Sequence, residues 1–222
     1  MIDTENVFQM LNGMSALMCA RDADTGDLVR AARDAIDNNV RQISVDASAV
    51  SVIWPWIENT NIEIAARITL KLDGETDACI SDLSARVKKV FKQGAAAAQI
   101  FVRCEDLAMF ADAIAPIRDD LFFNRNFSIA LDLAECAGNW GAVFDALSSA
   151  RADSVLLTLT RDAGDKSYFV GWIYELAGFE HPWRGALHFA LGKNPIRIEQ
   201  VQRLMRATKK EALAKMLFFV NN

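Results

Sequence analysis

A small set of residues has the side chains that proton transfer on an anionic substrate requires: the carboxylates Asp46 and Asp132, with Glu135 close behind, the cations Lys71 and Arg103, and the imidazole of His188. Each stands in or just after a short alternating run, so a fold that aligns the ends of those runs brings acid, base and charge to one mouth. Thr160, followed by Arg161 and Asp162, takes the equivalent place after a later run and is a candidate substrate contact. Lys193 and Arg197 flank Asn194-Pro195, a helix start whose free N–H groups and dipole favour an anion; phosphate is the ligand expected there, a solvated loop with one lysine the plainer alternative. His188 is the one histidine within a strand-like run, where an inward imidazole is either a catalyst or a hydrogen-bonded core residue. His181 is the second histidine, with no HxH or HxxE spacing, so neither a zinc site nor any cofactor is expected.

What must position these groups is visible in IEIAARITLKL, Ile62 to Leu72. Ile62, Ile64, Ala66, Ile68 and Leu70 share one side of a strand; Glu63, Ala65, Arg67, Thr69 and Lys71 share the other. A strand embedded in alternating strands and helices is covered on both faces, so its polar side must face something enclosed. The interior of a closed barrel meets that condition, with the apolar side against an outer ring of helices.

The same division recurs along the chain. Ser44 and Asp46 oppose Ile43 and Val45; Gln99 and Arg103 oppose Ile100 and Val102; Ser128 and Asp132 oppose Ile129 and Leu131; Thr158 and Thr160 oppose Val155, Leu157 and Leu159; His188 opposes Leu187, Phe189 and Leu191. A doubly wound open sheet would instead show continuous apolar runs. Helices are expected from Asp27, as cap, through the following LVRAARDAIDNN; over a broken stretch containing Pro55; from Asp77 to Gln93, ended by Gly94; from Glu105 to Ile114, stopped near Pro116; after Asn139; from Lys166 to Ala177; and after Asn194-Pro195. Together with a first strand over Ala16 to Arg21 and a last in KMLFFVNN, this reads as an α/β protein, a single (β/α)8 TIM barrel over residues 1–222 with an N-terminal helical extension over 1–14 and no regular final helix.

Composition narrows the classes. The net charge of −5 and the lack of a basic run argue against nucleic-acid binding. No apolar run reaches the ~18 residues of a membrane span, and the first residues lack the basic and apolar regions of a secretory signal, so no membrane partner and a cytoplasmic location are expected. Cys19, Cys79, Cys104 and Cys136 are scattered without a CxxC pair and read as reduced thiols; Cys104 and Cys136 follow adjacent strands and face each other at the rim if the barrel forms. Trp54, Trp56 and Trp140 either line a pocket mouth or pack helices onto the barrel.

IAARITLKLDG, followed by a helix and KQGAAAAQIFV, resembles the third and fourth strands of the deoxyribose-phosphate aldolase family of class I aldolases. ADSVLLTLT is similar to that family's sixth strand, and ALHFALGKNPIRIEQV to its seventh strand and glycine-rich turn. The resemblance spans roughly residues 27–200 and implies a barrel lyase acting on a small phosphorylated sugar or keto compound. The family's residues do not carry over: its Schiff-base lysine falls on Leu156, its fourth-strand aspartate on Gln99, its seventh-strand lysine on His188. A leucine cannot form an imine, so the apparatus has either moved or been lost. If it has moved, Lys71 is the nucleophile, its amine pKa depressed by Arg103; Asp132 or Asp46 handles protons, and Arg103, Thr160, Lys193 and Arg197 bind the substrate. A non-catalytic barrel that binds a ligand or partner, and an isomerase or epimerase using Asp46 and Asp132, are the competing classes. The expected partner is a small anionic, phosphorylated metabolite. Because no helix follows the last strand, an outward Phe218 or Phe219 needs a cover, from Val7, Phe8, Met10 and Leu11 or from a second copy, and a homodimer is the expectation.

Overall fold

Eight parallel strands close on themselves: β1 (Ser15–Met18), β2 (Gln42–Asp46), β3 (Glu63–Thr69), β4 (Ala97–Phe101), β5 (Asn126–Asp132), β6 (Ser154–Thr158), β7 (Ala186–Ala190) and β8 (Leu217–Asn221) pair in sequence order, and β8 returns to β1. The structure is a computed structural model and describes residues 7–8, 11, 13–72, 74–159, 166–192, 194–208 and 215–221. Among these, the helices are α1 (Thr25–Asp37), α2 (Val50–Ile57, after a 3-10 turn at Ala47–Ala49), α3 (Thr76–Lys92), α4 (Cys104–Asp119), α5 (Leu133–Cys136), α6 (Trp140–Ser149), α7 (Lys166–Gly178) and α8 (Pro195–Thr208). The expected (β/α)8 barrel is the observed fold.

Local chemistry explains the element ends, with some corrections. Asp24, not Asp27, caps α1; the Asp27 N–H donates to Asp24 Oδ1 at 2.8 Å while the Asp27 carboxylate accepts from the Asp24 N–H, a reciprocal capping box. Gly94 sits just past α3 at φ +107°, a conformation that L side chains rarely adopt, and the Trp54 ring lies over it. Helix α4 does not stop at Pro116 but runs on to Asp119, because Ile114, Ala115 and Ile117 on its apolar face are buried against the barrel and offset the lost hydrogen bond. The short helix α5 was not anticipated. It starts where Asp132 Oδ1 accepts from the Ala134 N–H at 2.8 Å.

The alternating residues of the strands separate two apolar layers. Outward residues such as Ile64, Ile68, Ile100, Ile129, Leu157 and Phe189 join the helices in one continuous core. A second, smaller cluster fills part of the barrel interior: Ala16, Ala130, Leu156, Ala190, Leu217 and Phe219. The interior is therefore divided. Its β5–β8 side is largely oily, while its β2–β5 side carries Ser44, Arg67, Gln99 and Ser128.

The seam at the end of the barrel is closed within one chain. Phe218 and Val220 are 1% and 0% exposed, and Val7, Phe8 and Leu11 are buried in the same apolar layer. The Phe218 N–H also donates to the Met14 carbonyl at 2.8 Å. At this seam, among the described residues, the outward apolar side chains Phe218 and Val220 are therefore covered by the chain itself.

At the N-terminal face, Arg118 and Asp153 form a paired contact, Nε to Oδ2 at 2.7 Å and Nη2 to Oδ1 at 3.1 Å, and Asp153 also accepts from the Phe127 N–H. Between β2 and β3, Glu63 accepts from Gln42 at 3.3 Å. No helix among the described residues is long and apolar enough to cross a membrane.

Candidate functional site

The C-terminal ends of β3 to β6 surround a cleft of about 430 Å³ lined by Thr69, Phe101, Arg103, Asp106, Asp132, Glu135 and Thr158 among others. Its polar groups are already engaged, Arg103 with Asp106 and Asp132, Glu135 and Thr158 with backbone. Arg103 lies past the end of β4, at the N-cap of α4, and donates from Nε and Nη2 to both oxygens of Asp106 at 2.7 and 3.1 Å, with Glu105 against Nη1 at 2.6 Å. The hydrogen bonds that Arg103 donates to Asp106 raise the guanidinium above its ordinary value, and its place past the end of β4 makes Arg103 a permanently charged, neutralised rim residue and not an interior one. Glu135 accepts from the Cys104 N–H at 3.3 Å.

The other candidates are scattered. Strand β3 ends at Thr69, two residues before Lys71, which is exposed in the following loop instead of facing the barrel interior. Arg103, the cation expected to act on it, is held by Asp106 and Glu105. Asp46 caps the turn after β2, its Oδ1 accepting from the Ser48 N–H at 3.1 Å and hydroxyl at 2.9 Å. Asp132 caps α5. The two aspartates end strands that are not neighbours, so they do not form a paired acid and base through the sheet. Arg197 stacks over the Phe169 ring at 5.6 Å, and the Asn194 side chain accepts the Arg197 N–H at 3.2 Å as cap of α8. Thr160, Arg161, Asp162 and Lys193 lie outside the described residues.

His188 points inward, as its parity requires, but into the oily half. Its ring meets Phe219 edge-on at 6.2 Å, and its Nδ1 accepts from the Leu217 N–H at 3.1 Å, which leaves the proton on Nε2. Burial pushes its pKa down to about 4. A neutral imidazole whose acceptor nitrogen is occupied by backbone has no base to offer near neutral pH.

The polar half of the interior has the least conventional group. Arg67 is 7% exposed; its Nη2 donates to the Ala20 carbonyl at 3.1 Å, reaching past β2 to the loop after β1, and its Nε is buried without a partner. Burial pulls this guanidinium below its ordinary value; Arg21 acts in the same direction, Cys19 and Asp46 against it. Arg21 itself leans over the Phe101 ring at 5.4 Å, and Phe101 is also a wall of the cleft. Deeper, the Ser44 hydroxyl donates to Gln99 Oε1 at 2.7 Å, and on the next strand the Ser128 hydroxyl is buried without a partner. The polar side chains of β3 do not pair with one another or with Arg103: Glu63 accepts from Gln42, Arg67 donates to the Ala20 carbonyl, and Arg103 at the rim is held by Asp106 and Glu105. Sequence reasoning placed Arg67 on the enclosed side of its strand without making it a site residue and passed over Arg21 and Asp106. A charged residue at mid-strand on the inward parity was the available signal for Arg67.

The tryptophans belong to the helix layer. Trp54 covers Gly94, Trp140 is buried beside Phe144 with ring centroids 6.1 Å apart, and Trp56 is half exposed. Among the described residues no cluster of three metal-ligating side chains occurs.

No family model matches this chain, and no curated protein matches it. Solved structures do. A deoxyribose phosphate aldolase from Aeropyrum pernix aligns over 98% of this chain and 87% of its own at 14% identity, TM-score 0.64. A Toxoplasma gondii ME49 protein provisionally assigned as a deoxyribose-phosphate aldolase aligns over 98% and 90% at 11% identity, TM-score 0.74. A 2,3-dimethylmalate lyase of the PEP mutase/isocitrate lyase superfamily aligns over 97% and 78% at 12% identity, TM-score 0.56. These likenesses establish a shared, aldolase-like barrel fold at remote distance.

Proposed function

We propose that this chain is an aldolase-like barrel that binds a small anionic metabolite, carboxylated or phosphorylated, at its C-terminal mouth and does so without imine chemistry. The observation that carries the reading is Arg67: a nearly buried guanidinium on the interior side of β3, with an unpartnered Nε, beside a second arginine at the mouth. A buried cation with an unmade hydrogen bond is costly, and an anionic ligand supplies both the charge and the acceptor. Against imine chemistry stand the three positions at which the aldolase resemblance places lysine, aspartate and lysine. Here they are Leu156, fully buried and apolar; Gln99, bonded to Ser44; and His188, neutral and bonded to Leu217. Lys71 is exposed outside the strand.

A second reading is favoured by one feature: Asp132 and Glu135 line the same cleft, where a carboxylate pair can move a proton on a bound keto compound. In that case the protein is an isomerase or a lyase of acid–base type. Calorimetric titration of the native protein and of R67M with inorganic phosphate and with oxalate tests the first reading. Binding of at least one anion, weakened at least ten-fold by R67M, is the expected result; equal affinity in both proteins removes Arg67 from the site. Borohydride treatment with a small aldehyde or ketone should leave no selective mass addition on the peptide containing Lys71. Deuterium exchange into a bound keto compound, lost in D132N, would move the assignment to the second reading.

A further inference from the structure

The rim carries two thiols that anion binding does not use. Cys104 opens α4 directly after β4, and Cys136 closes α5 shortly after β5. Because β4 and β5 are neighbours in the barrel, the two sulfurs come together at 2.9 Å, within about 1 Å of the ~2.05 Å bond of a disulfide. A second tie holds the same two segments, the Cys104 N–H on Glu135 Oε2 at 3.3 Å. The sulfurs are unequal in access: Cys136 is fully buried, Cys104 partly exposed. Their chain neighbours Arg103 and Glu135 are walls of the cleft.

We infer that Cys104 and Cys136 are a redox pair that closes reversibly into a disulfide across the wall of the cleft, with a low-molecular-weight disulfide such as oxidised glutathione as oxidant. Access fixes the order of events. The Cys104 thiolate attacks one sulfur of the oxidant, whose S–S bond breaks; one glutathione leaves as thiolate, and Cys104 becomes a mixed disulfide. The Cys136 thiol then gives up its proton to solvent and attacks Cys104 Sγ; the second glutathione leaves and is protonated. Two cysteine thiols are oxidised and one glutathione disulfide is reduced to two thiols, so electrons and protons balance. In the dithiol the hydrogen bond with Cys104, with burial behind it, pushes the Cys136 thiol well above its ordinary value; once Cys104 is a mixed disulfide that bond is gone, and burial is left to set the pace of the second step. The remaining cysteines are poor competitors. Cys19 is buried, its thiol pushed up to about 11 by that burial, and Cys79 is buried on α3.

Closing the bond ties the start of α4 to the end of α5, so the redox state of the surroundings sets the rigidity of the wall that holds Arg103 and Glu135. The test uses the full chain in its native state, incubated with oxidised glutathione at mildly alkaline pH, blocked with iodoacetamide and mapped by peptide mass spectrometry. The expected result is a fall from the chain's four free thiols to half that number, a cross-linked Cys104–Cys136 peptide, and full reversal by dithiothreitol. C136S should stop at one glutathione on Cys104, and C104S should take up none. Stable glutathione on Cys104 of the native protein without a cross-link, modification led by Cys19 or Cys79, or four unreacted thiols beside a reactive control peptide would each overturn the assignment.

Discussion

Replacing His188 by asparagine isolates the titration of a single buried group. Asparagine keeps an acceptor for the Leu217 N–H, now 3.1 Å from Nδ1, and removes the proton equilibrium. In the native protein burial lowers the imidazole from its ordinary 6.5 to about 4, whereas in the unfolded chain it returns to the ordinary value. Above pH 6.5 the group is neutral in both states and contributes nothing to pH dependence. As pH falls through the window from 6.5 to 4 the unfolded chain takes up a proton that the native state refuses, and the native state loses stability; below 4 both forms are protonated and the loss is complete. A shift of this size corresponds to about 3 kcal/mol, reached at up to ~1.4 kcal/mol per pH unit. Urea unfolding of the native protein and H188N across pH 7 to 4 reads it directly, because the carboxylates titrate alike in both and cancel in the difference. H188N should carry a fixed offset at pH 7 and gain on the native protein by about 3 kcal/mol towards pH 4. Parallel stability curves, or a His188 ring proton resonance that titrates near 6.5, would refute the reasoning and restore the histidine as a candidate base.

Three further outcomes follow from particular contacts. Asp153→Ala leaves Arg118 partly buried without its carboxylate and removes the acceptor of the Phe127 N–H, so stability should fall by about 2–4 kcal/mol in urea, with anion binding at the opposite face unchanged. Phe218→Ala empties a fully buried site that stacks on Phe189 at 5.8 Å and should cost about 3–5 kcal/mol, seen as a lowered denaturation midpoint without change of slope. Gly94→Ala forces a side chain into φ +107° and against the Trp54 ring, and should lower thermal stability by about 1–3 kcal/mol; no loss would mean that the turn and ring relax freely.

The barrel was legible in the sequence because strand parity is a local property. Side chains alternate whatever lies beyond them, so Ile64, Ala66 and Ile68 against Glu63, Arg67 and Thr69 already require one oily cover and one enclosed polar space. Repeated on consecutive strands, that pattern determined the fold class and placed Arg67, Gln99 and His188 inside. It could not say where a strand stops. Residues Lys71 and Arg103 keep the inward parity on paper, but β3 and β4 end at Thr69 and Phe101, after which the chain turns and parity has no meaning. Nor could it say which groups meet. Arg103 is held by Asp106 and Glu105 on its own helix, Asp46 and Asp132 serve as caps, and His188 faces Phe219 because β8 closes against β7 and β1. The contact between Cys104 and Cys136 stands between the two: strand order already set both thiols at one rim if the barrel formed, and the closed barrel then brings the sulfurs to 2.9 Å. Parity follows from the geometry of one strand, whereas partners, burial and proton affinity depend on what the closed barrel brings within a few ångströms, and that is decided by the tertiary structure alone.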